Sequence, residues 1–192
     1  MYDIFHVNHR HVEKMKSFHN SWRGIMTLQI RRATLLDVEQ IAQVHVESWK
    51  MAYSAMFSEA FLKNFTSESR YVLWRNNIND RNKIVLVLEK NDEIIGFIMG
   101  DPVKKGEYAQ YDGDLTALYF KKEEQRKGYG SLLLHALLTE FTNRGYRNCI
   151  VKVLKENNCK YFYEKLGAVH IDDQPLDGFE YLTLSTYAWE KI

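Results

Sequence analysis

The sequence is short of cysteine and contains no long apolar run. Among its 192 residues are two cysteines, Cys149 in a predicted strand and Cys159 near a predicted helix start. This placement favours neither a disulfide nor a zinc site, so we interpret both as packing residues. No apolar segment approaches the ~20 residues that a membrane-spanning helix needs, which predicts a soluble protein.

An excess of charge of one sign is missing as well. The 26 lysines and arginines are balanced by 25 aspartates and glutamates, for a formal net charge of +1. This balance gives no electrostatic reason to expect nucleic acid or a membrane as the main partner. The first residues carry histidines and charges where a signal peptide would carry a continuous apolar segment. With so few cysteines, the chain is expected in the reducing cytoplasm.

Residues 1–27 contain four histidines, His6, His9, His11 and His19. They lack a regular one-face spacing, and no cysteine or carboxylate pair completes a tetrahedral set, so no metal site is predicted. We interpret residues 1–27 as an N-terminal extension, either helical or flexible, or as residues upstream of the natural start. Residues 28–192 are predicted to form one domain, since a chain of this length supports a single core.

The hydrophobic pattern of residues 28–192 predicts an α/β fold with a mixed sheet. Alternation over residues 28–34 indicates a strand, and a helical pattern follows it. Two β-rich runs on either side of Asn91-Asp92 indicate a hairpin. The apolar runs 114–120 and 149–154 flank a leucine-rich helix, so these two strands are expected to lie parallel with a right-handed crossover.

An aromatic-rich stretch follows the first strand. It includes Trp49, Tyr53, Met56, Phe57, Phe61 and Leu62. Core packing explains most of these residues, and the alternative is that some of them line a substrate pocket. His45 lies in the same helical pattern, and we interpret it as a packed residue rather than a catalyst.

Residues 114–141 are the most informative stretch of the chain. They read DLTALYF, then KKEEQRKGYGS, then LLLHALLTEF, which indicates a strand, a charged turn with Gly128 and Gly130, and a helix. The first N–H groups of a helix have no intrahelical partner and lie at the positive end of its dipole, so this turn is predicted to bind phosphate. It is not a dinucleotide fingerprint, because Leu133 replaces the third glycine, and it is not a P-loop.

The segment Gln125-Arg126-Lys127-Gly128-Tyr129-Gly130 resembles the Gln/Arg-x-x-Gly-x-Gly/Ala signature of the GNAT superfamily of N-acetyltransferases. A second segment, KENNCKYFYEKLGA, resembles the Asn-x-x-x-x-x-Tyr-Glu-x-x-Gly pattern of many members. Asn157, Tyr163 and Gly167 occupy its matching positions. The resemblance extends from residue 28 to the C-terminus and is sharp over residues 114–168.

This resemblance implies a GNAT-like α/β fold with a mixed, mostly antiparallel sheet between helices. In such proteins a central pair of parallel strands splays apart at the acetyl-CoA site. The resemblance further implies acetyl-CoA as cosubstrate and direct attack of a primary amine on the thioester, without an acyl-enzyme. Homodimers are common among similar proteins, so a homodimer is a candidate assembly here.

The resemblance also implies which residues bind the cofactor. The backbone of residues 126–131 would hold the CoA diphosphate, and the side chains of Arg126 and Lys127 would lie beside it. The alternative is that these two side chains belong to a solvated basic turn. The strand before the turn would pair with the pantetheine arm. The implied residues are Leu118, Tyr119, Phe120, Gln125, Arg126, Lys127, Gly128, Tyr129, Gly130, Ser131 and Asn157. For Asn157, a role as a helix cap is the alternative.

Two residues are candidates for proton transfer. Tyr163 occupies the position of the general acid that protonates the CoA thiolate, and the alternative is a core tyrosine. Asp114 is the first candidate for the base that deprotonates the amine, ahead of Asp112 and Glu47, although a water-exposed aspartate is an equal alternative. Many similar proteins use ordered water for this step.

The sequence leaves the acceptor open among a polyamine, an aminoglycoside-like drug, an amino acid and a protein lysine. The main alternative function is a non-catalytic acyl-CoA-binding sensor or interaction domain. The presence of both Tyr163 and Asn157 favours an enzyme, because a sensor has less need of a placed proton donor.

Overall fold

The chain folds around a seven-stranded sheet. The computed structural model describes residues 27–192, so the histidines of the predicted extension lie outside the described residues. The strands are β1 (Leu28–Arg32), β2 (Ile84–Lys90), β3 (Glu93–Pro102), β4 (Gly113–Phe120), β5 (Cys149–Leu154), β6 (Val169–Leu176) and β7 (Phe179–Trp189). The helices are α1 (Val38–Tyr53), α2 (Glu59–Asn64), α3 (Ser67–Asn79), α4 (Tyr129–Asn143) and α5 (Lys160–Lys165).

The strand order across the sheet is β1-β2-β3-β4-β5-β7-β6. Strands β4 and β5 are parallel, and the other neighbouring pairs are antiparallel. This arrangement confirms the predicted fold class, a mixed and mostly antiparallel sheet in a single α/β domain. Within residues 27–192, no helix combines the length and apolarity that a bilayer crossing requires.

The hairpin between β2 and β3 forms where the sequence predicts it. Asn91 and Asp92 both have positive φ, 51° and 65°. Two successive residues with left-handed backbone conformation make a tight turn whose twist matches that of the flanking strands. Asn and Asp tolerate this conformation better than most residues.

The aromatic-rich stretch is divided between two helices. α1 ends at Tyr53, and α2 begins after Ser58, whose side-chain oxygen accepts a hydrogen bond from the Phe61 N–H. The resulting corner packs Phe57 and Phe61 against Phe179 at the turn between β6 and β7, with ring centroids 5.0 and 5.2 Å apart. The corner between α1 and α2 thus contacts the β6–β7 hairpin at the edge of the sheet.

The parallel strands β4 and β5 separate soon after they begin. Their pairing ends at Leu115 opposite Val151, although β4 continues to Phe120 and β5 to Leu154. On the other side of β4, the register with β3 shifts at Met99 and leaves Thr116 as an extra residue. Such a bulge bends its strand, which accounts for the divergence. The splay expected of this strand pair is therefore present.

Helix α4 covers one face of the sheet at very short range. Leu133, Leu137 and Phe141 are fully buried there. A Cβ atom at Gly100 would lie 2.5 Å from the Phe141 ring, and one at Gly113 would lie 2.9 Å from it. The helix can approach this closely because both positions lack a side chain, and its N-terminus is thereby held beside the diverging strands.

The other face is covered by α1 and α3 around His45. The His45 Nδ1 accepts a hydrogen bond of 3.0 Å from Trp74 Nε1 and is enclosed by the rings of Phe65, Phe97 and Tyr119. Burial lowers the pKa of His45 to about 3, and the charge of Arg70 acts in the same direction. The residue is packed, as the sequence pattern predicts.

His45 is expected to make the stability of the fold depend on pH. Its pKa in the folded chain, about 3, lies below the ordinary value of 6.5. Between these values the unfolded chain binds the extra proton, so this contribution is complete above pH 6.5 and is lost as the pH falls. We expect a decrease of about 1.4 kcal/mol in the free energy of unfolding between about pH 7.5 and pH 5.5.

Urea unfolding of the parent and of His45→Gln at both pH values measures this effect. The glutamine keeps an acceptor for Trp74 Nε1 and removes the titrating ring, while the remaining histidines contribute equally to both proteins. Identical pH dependence in the two proteins would show that His45 is not the cause.

Candidate active site

A cavity of about 720 Å³ opens where β4 and β5 diverge. Its walls come from the free edge of β4, the ends of β5 and α1, and the starts of α4 and α5. This volume is in the range of small-molecule sites. The cavity runs from the predicted phosphate turn to Tyr163, so it joins the two sequence segments that were singled out separately.

The turn before α4 presents a row of free backbone donors. Within residues 27–192, no backbone acceptor takes the N–H groups from Arg126 to Gly130, and the Ser131 N–H donates to the Gly128 carbonyl at 3.2 Å. Arg126 and Gly128 both have positive φ, 59° and 85°. This conformation turns successive N–H groups toward one side, which is the geometry that binds an anion.

The two glycines of this turn serve different purposes. Gly128 has a left-handed conformation, and a Cβ atom there would meet nothing within 4 Å, so any side chain would project into the open space of the turn. A Cβ atom at Gly130 would lie 3.1 Å from the Phe162 ring. Gly130 thus allows α5 to pack against the start of α4, and this contact narrows the cavity.

The charged side chains of the turn point in different directions. Lys127 Nζ pairs with Glu124 at 3.0 Å, and Glu124 also accepts from Lys90 Nζ at 2.8 Å. Lys127 is therefore absent from the cavity wall, where Arg126 and Gln125 are found. Lys127 can therefore contribute to the predicted anion binding through its backbone N–H, while its ammonium group is held by Glu124 outside the cavity wall.

The edge of β4 facing the cavity is unpaired beyond Leu115. Leu118, Tyr119 and Phe120 line the cavity, as expected for the strand that would pair with an extended ligand. The Phe120 carbonyl accepts hydrogen bonds from Ser48 Oγ at 2.7 Å and Gln125 Nε2 at 3.3 Å. These bonds fix the end of the strand to α1 and to the turn.

Asn157 lies at the start of α5 with most of its amide already engaged. Its Oδ1 accepts from the Cys159 N–H at 2.9 Å, and its Nδ2 donates to the Tyr53 hydroxyl oxygen at 2.9 Å. The amide thus stabilises the turn that leads into α5, and no hydrogen bond within residues 27–192 uses its second Nδ2 hydrogen. The cap residue of α5 is Cys159 rather than Asn157, and a contact between Asn157 and the cofactor stays a prediction.

Tyr163 is 5% exposed and lines the cavity. Its ring packs edge-on against Trp189 at 6.0 Å. Burial raises the pKa of Tyr163 well above its ordinary value, and no hydrogen bond from residues 27–192 opposes this effect. The phenol therefore stays protonated at neutral pH and can act as a proton donor.

Asp114 is buried just before the strands separate. Lys152 Nζ lies 3.4 Å from its carboxylate and 2.7 Å from that of Glu107. Burial raises the pKa of Asp114, and the charge of Lys152 opposes this shift. Lys152 lines the cavity, whereas Asp114 lies behind it.

The two weaker candidates for a base have other contacts. Asp112 Oδ2 accepts the Arg147 N–H at 2.8 Å, and Glu47 is an exposed residue paired with Gln43. Neither lines the cavity. Within the described part of the chain, no group of three or more His, Cys, Asp or Glu side chains is arranged to hold a metal ion.

The cavity wall also contains residues to which the sequence analysis gave no definite role in the site, among them Tyr53, Lys152 and Cys159. Lys152 had a signal, because it is the one charge in the apolar strand CIVKVL. Tyr53 belongs to the aromatic stretch for which a pocket wall was the alternative to core packing, but nothing in the sequence distinguishes it from its aromatic neighbours before α1 and α5 are brought together. Cys159 does pack, as expected, but it also forms part of the wall.

Comparisons with known proteins agree with this geometry. The family model described as acetyltransferase (GNAT) family matches residues 47–168. The N-acetyltransferase YuaI of Bacillus subtilis, itself uncharacterized, is 26% identical over 151 residues, which cover 79% of this chain and 84% of the relative. The spermidine N(1)-acetyltransferase of Thermoplasma acidophilum is 26% identical over 168 residues, covering 84% of this chain and 99% of the relative.

Solved structures share the fold. The PaiA N-acetyltransferase of Thermoplasma acidophilum in complex with coenzyme A has a TM-score of 0.68 at 24% identity, covering 85% of this chain and 99% of that one. The N-acetyltransferase of Staphylococcus aureus Mu50 has a TM-score of 0.66 at 21% identity, covering 85% and 98%. Since the family match covers more than half of the chain, this protein belongs to the GNAT family of acetyltransferases and is an acyltransferase with acetyl-CoA as its cosubstrate.

Proposed function

We propose that the chain transfers the acetyl group to a primary amine by direct attack in a ternary complex. The observation that supports this proposal is one cavity lined by the glycine turn with its free N–H groups, the open edge of β4 and Tyr163. An acyl-enzyme would need a nucleophile on the same wall. Cys159 is the thiol in that wall, and burial raises its pKa to about 11, so its thiolate is scarce at neutral pH.

The cofactor would lie along the cavity with its diphosphate at the start of α4. The free N–H groups from Arg126 to Gly130 would donate to the phosphates, with the Arg126 side chain beside them. The pantetheine arm would pair with the β4 edge at residues 118–120, and the remaining Nδ2 hydrogen of Asn157 would reach the arm from the opposite side. The thioester then falls in the gap between β4 and β5.

The chemistry requires three events at this gap. The amine lone pair attacks the thioester carbon, the carbonyl oxygen takes up negative charge, and the collapse of this intermediate breaks the C–S bond. Tyr163 would give its proton to the departing thiolate. Asp114 would take the amine proton through a water molecule, because the Lys152 ammonium lies between its carboxylate and the cavity and has no lone pair to accept the proton.

The acceptor is either a small primary amine or a peptide amine. We place the acceptor at the end of the cavity that Tyr53 lines, and call this end the acceptor side. Next to it the α1–α2 corner contacts Phe179 and Tyr181 of β7, and this contact favours a slender amine over a folded protein surface. The name of the Thermoplasma acidophilum relative adds spermidine to the candidates. Lys152 contributes a positive charge on this side and disfavours an acceptor with many ammonium groups, while Glu107 and Asp114 balance it.

Calorimetric titration with acetyl-CoA, followed by thiol release with a panel of amines, tests the proposal. The panel contains a simple monoamine, spermidine, an aminoglycoside, an amino acid and a lysine peptide. Binding with amine-dependent release of CoA is the expected result, and the acceptor that responds identifies the class. Binding without release from any amine would favour the non-catalytic sensor, and absence of binding would remove the basis of the proposal.

Gly128→Asp is expected to weaken acetyl-CoA binding tenfold or more. The new carboxylate would project into the anion-binding turn and repel the diphosphate, and about 1.4 kcal/mol of repulsion corresponds to a factor of ten. The matched control is Gly145→Asp at the other end of α4, where φ is also positive at 84° and a Cβ atom also meets nothing within 4 Å. Equal affinities of the two variants would contradict the assignment of the turn.

Tyr163→Phe is expected to lower kcat by about 10²-fold and leave the affinity for acetyl-CoA nearly unchanged, because loss of a general acid affects proton transfer rather than binding. Tyr161→Phe is the control on the same helix, since Tyr161 is 58% exposed. Steady-state kinetics and calorimetry on the same samples separate the two effects. A Tyr163→Phe enzyme as fast as the parent would assign the proton to another donor or to solvent.

Asp114→Asn is expected to lower kcat/KM and to remove the acid limb of its pH profile. A base works only when deprotonated, so activity should fall as the pH drops through its pKa, and burial places that pKa above the ordinary range of aspartate. The control is Asp112→Asn, which keeps an oxygen for the Arg147 N–H. An unchanged acid limb in Asp114→Asn would leave deprotonation to ordered water.

A further inference from the structure

Tyr53 places a second phenol at the reaction end of the cavity. It is the last residue of α1, and its ring is held by Trp49, with centroids 5.1 Å apart, and by Phe57, at 6.4 Å. Its side chain lines the same cavity as Tyr163, although α1 packs in one core cluster and Tyr163 in the other, with α4. Two phenols thus line the gap proposed for the thioester.

The hydrogen-bond pattern determines where the proton of Tyr53 can go. Because the Cys159 N–H occupies Oδ1 of Asn157, the amide orientation is settled and Nδ2 must be the group facing Tyr53. Tyr53 is therefore the acceptor in that bond.

This interaction uses a lone pair of the Tyr53 oxygen and does not use its hydrogen. No hydrogen bond among residues 27–192 has the Tyr53 O–H as its donor, and the side chain lines the cavity. The O–H group is therefore available to a ligand in the cavity. Burial raises the pKa of Tyr53 to about 12, so the group keeps its hydrogen at neutral pH.

We propose that Tyr53 donates a hydrogen bond to the carbonyl oxygen of the acetyl thioester. This inference rests on the proposed position of acetyl-CoA in the cavity. The carbonyl oxygen is a hydrogen-bond acceptor in the ground state and becomes negatively charged when the amine attacks, so a donor held in advance stabilises the transition state more than the substrate. No proton is transferred at this contact: Tyr53 keeps its hydrogen, and Tyr163 protonates the thiolate.

The assignment of Tyr53 to the carbonyl and Tyr163 to the thiolate uses the wall from which each arrives. Tyr53 comes from α1, whose corner with α2 lies next to the acceptor side, while Tyr163 comes from α5, which packs against the start of α4 at the cofactor side. The carbonyl carbon faces the incoming amine, and the sulfur continues into the pantetheine arm. The proposal therefore pairs Tyr53 with the carbonyl and Tyr163 with the sulfur.

The competing explanation is that Tyr53 acts only by holding Asn157 in place. In that case Tyr53→Phe and Asn157→Ala would have the same effect, and the double variant would be no worse than either single variant. If Tyr53 contacts the thioester directly, Tyr53→Phe should raise the stretching frequency of the thioester carbonyl, whereas Asn157→Ala should not. The phenylalanine keeps the ring that packs against Trp49, so α1 should retain its position.

Infrared difference spectroscopy of bound acetyl-CoA carrying ¹³C at the carbonyl tests the contact without an acceptor amine. A hydrogen bond to the carbonyl lowers its stretching frequency. We expect a lower frequency in the parent than in Tyr53→Phe, with Asn157→Ala close to the parent and with similar acetyl-CoA affinities for the parent and Tyr53→Phe. Equal frequencies in the parent and Tyr53→Phe, or an equal rise in both variants, would overturn the proposal.

Kinetics with an amine that the parent accepts provides the second readout. Loss of one such donor is expected to lower kcat about 10²-fold in Tyr53→Phe, with KM for acetyl-CoA within about twofold of the parent. A parent enzyme that binds acetyl-CoA but releases no CoA would count against the proposed amine transfer, while the infrared result would still decide the role of Tyr53. Unchanged kcat in Tyr53→Phe would count against Tyr53 alone.

Discussion

The separation of β4 from β5 after Leu115 is the constraint on which the site depends. A paired edge would bury its N–H and C=O groups in the sheet, and only an unpaired edge can offer them to an extended ligand. The bulge at Thr116 bends β4 away from β5. The glycines at positions 100 and 113 let α4 pack close to the strands, which brings the free N–H groups of its start to the same gap.

Charge and hydrogen bonding divide the cavity into two chemical regions. At the α4 end, backbone donors and Arg126 make a site for an anion. At the other end, burial keeps Tyr53 and Tyr163 protonated, so both are donors where negative charge would develop. Lys152 separates the Asp114 carboxylate from the cavity, so any base function of this aspartate must operate across that ammonium group.

The local geometry of the Gly128 turn is the part of the site that the sequence predicted, and it rests on local rules. The turn at Gly128 follows from the backbone freedom of glycine and from the unpaired N–H groups of a helix start, and both are properties of adjacent residues. Position in a motif then singled out Tyr163, whose role stays a prediction. The direction of the Lys127 side chain was not predictable, because it depends on Glu124 and on Lys90 from a different strand.

By itself, the sequence determined the order of strands and helices, the glycine turn before α4 and the parallel crossover, because periodicity and turn chemistry act over a few residues. The tertiary structure alone decided how the aromatic stretch divides between core and cavity wall, and that Lys152 stands in front of Asp114. It also decided that Tyr53 meets Asn157, 104 positions away in the chain. Such contacts depend on how α1, the splayed strands and α5 pack together, and no local pattern encodes that packing.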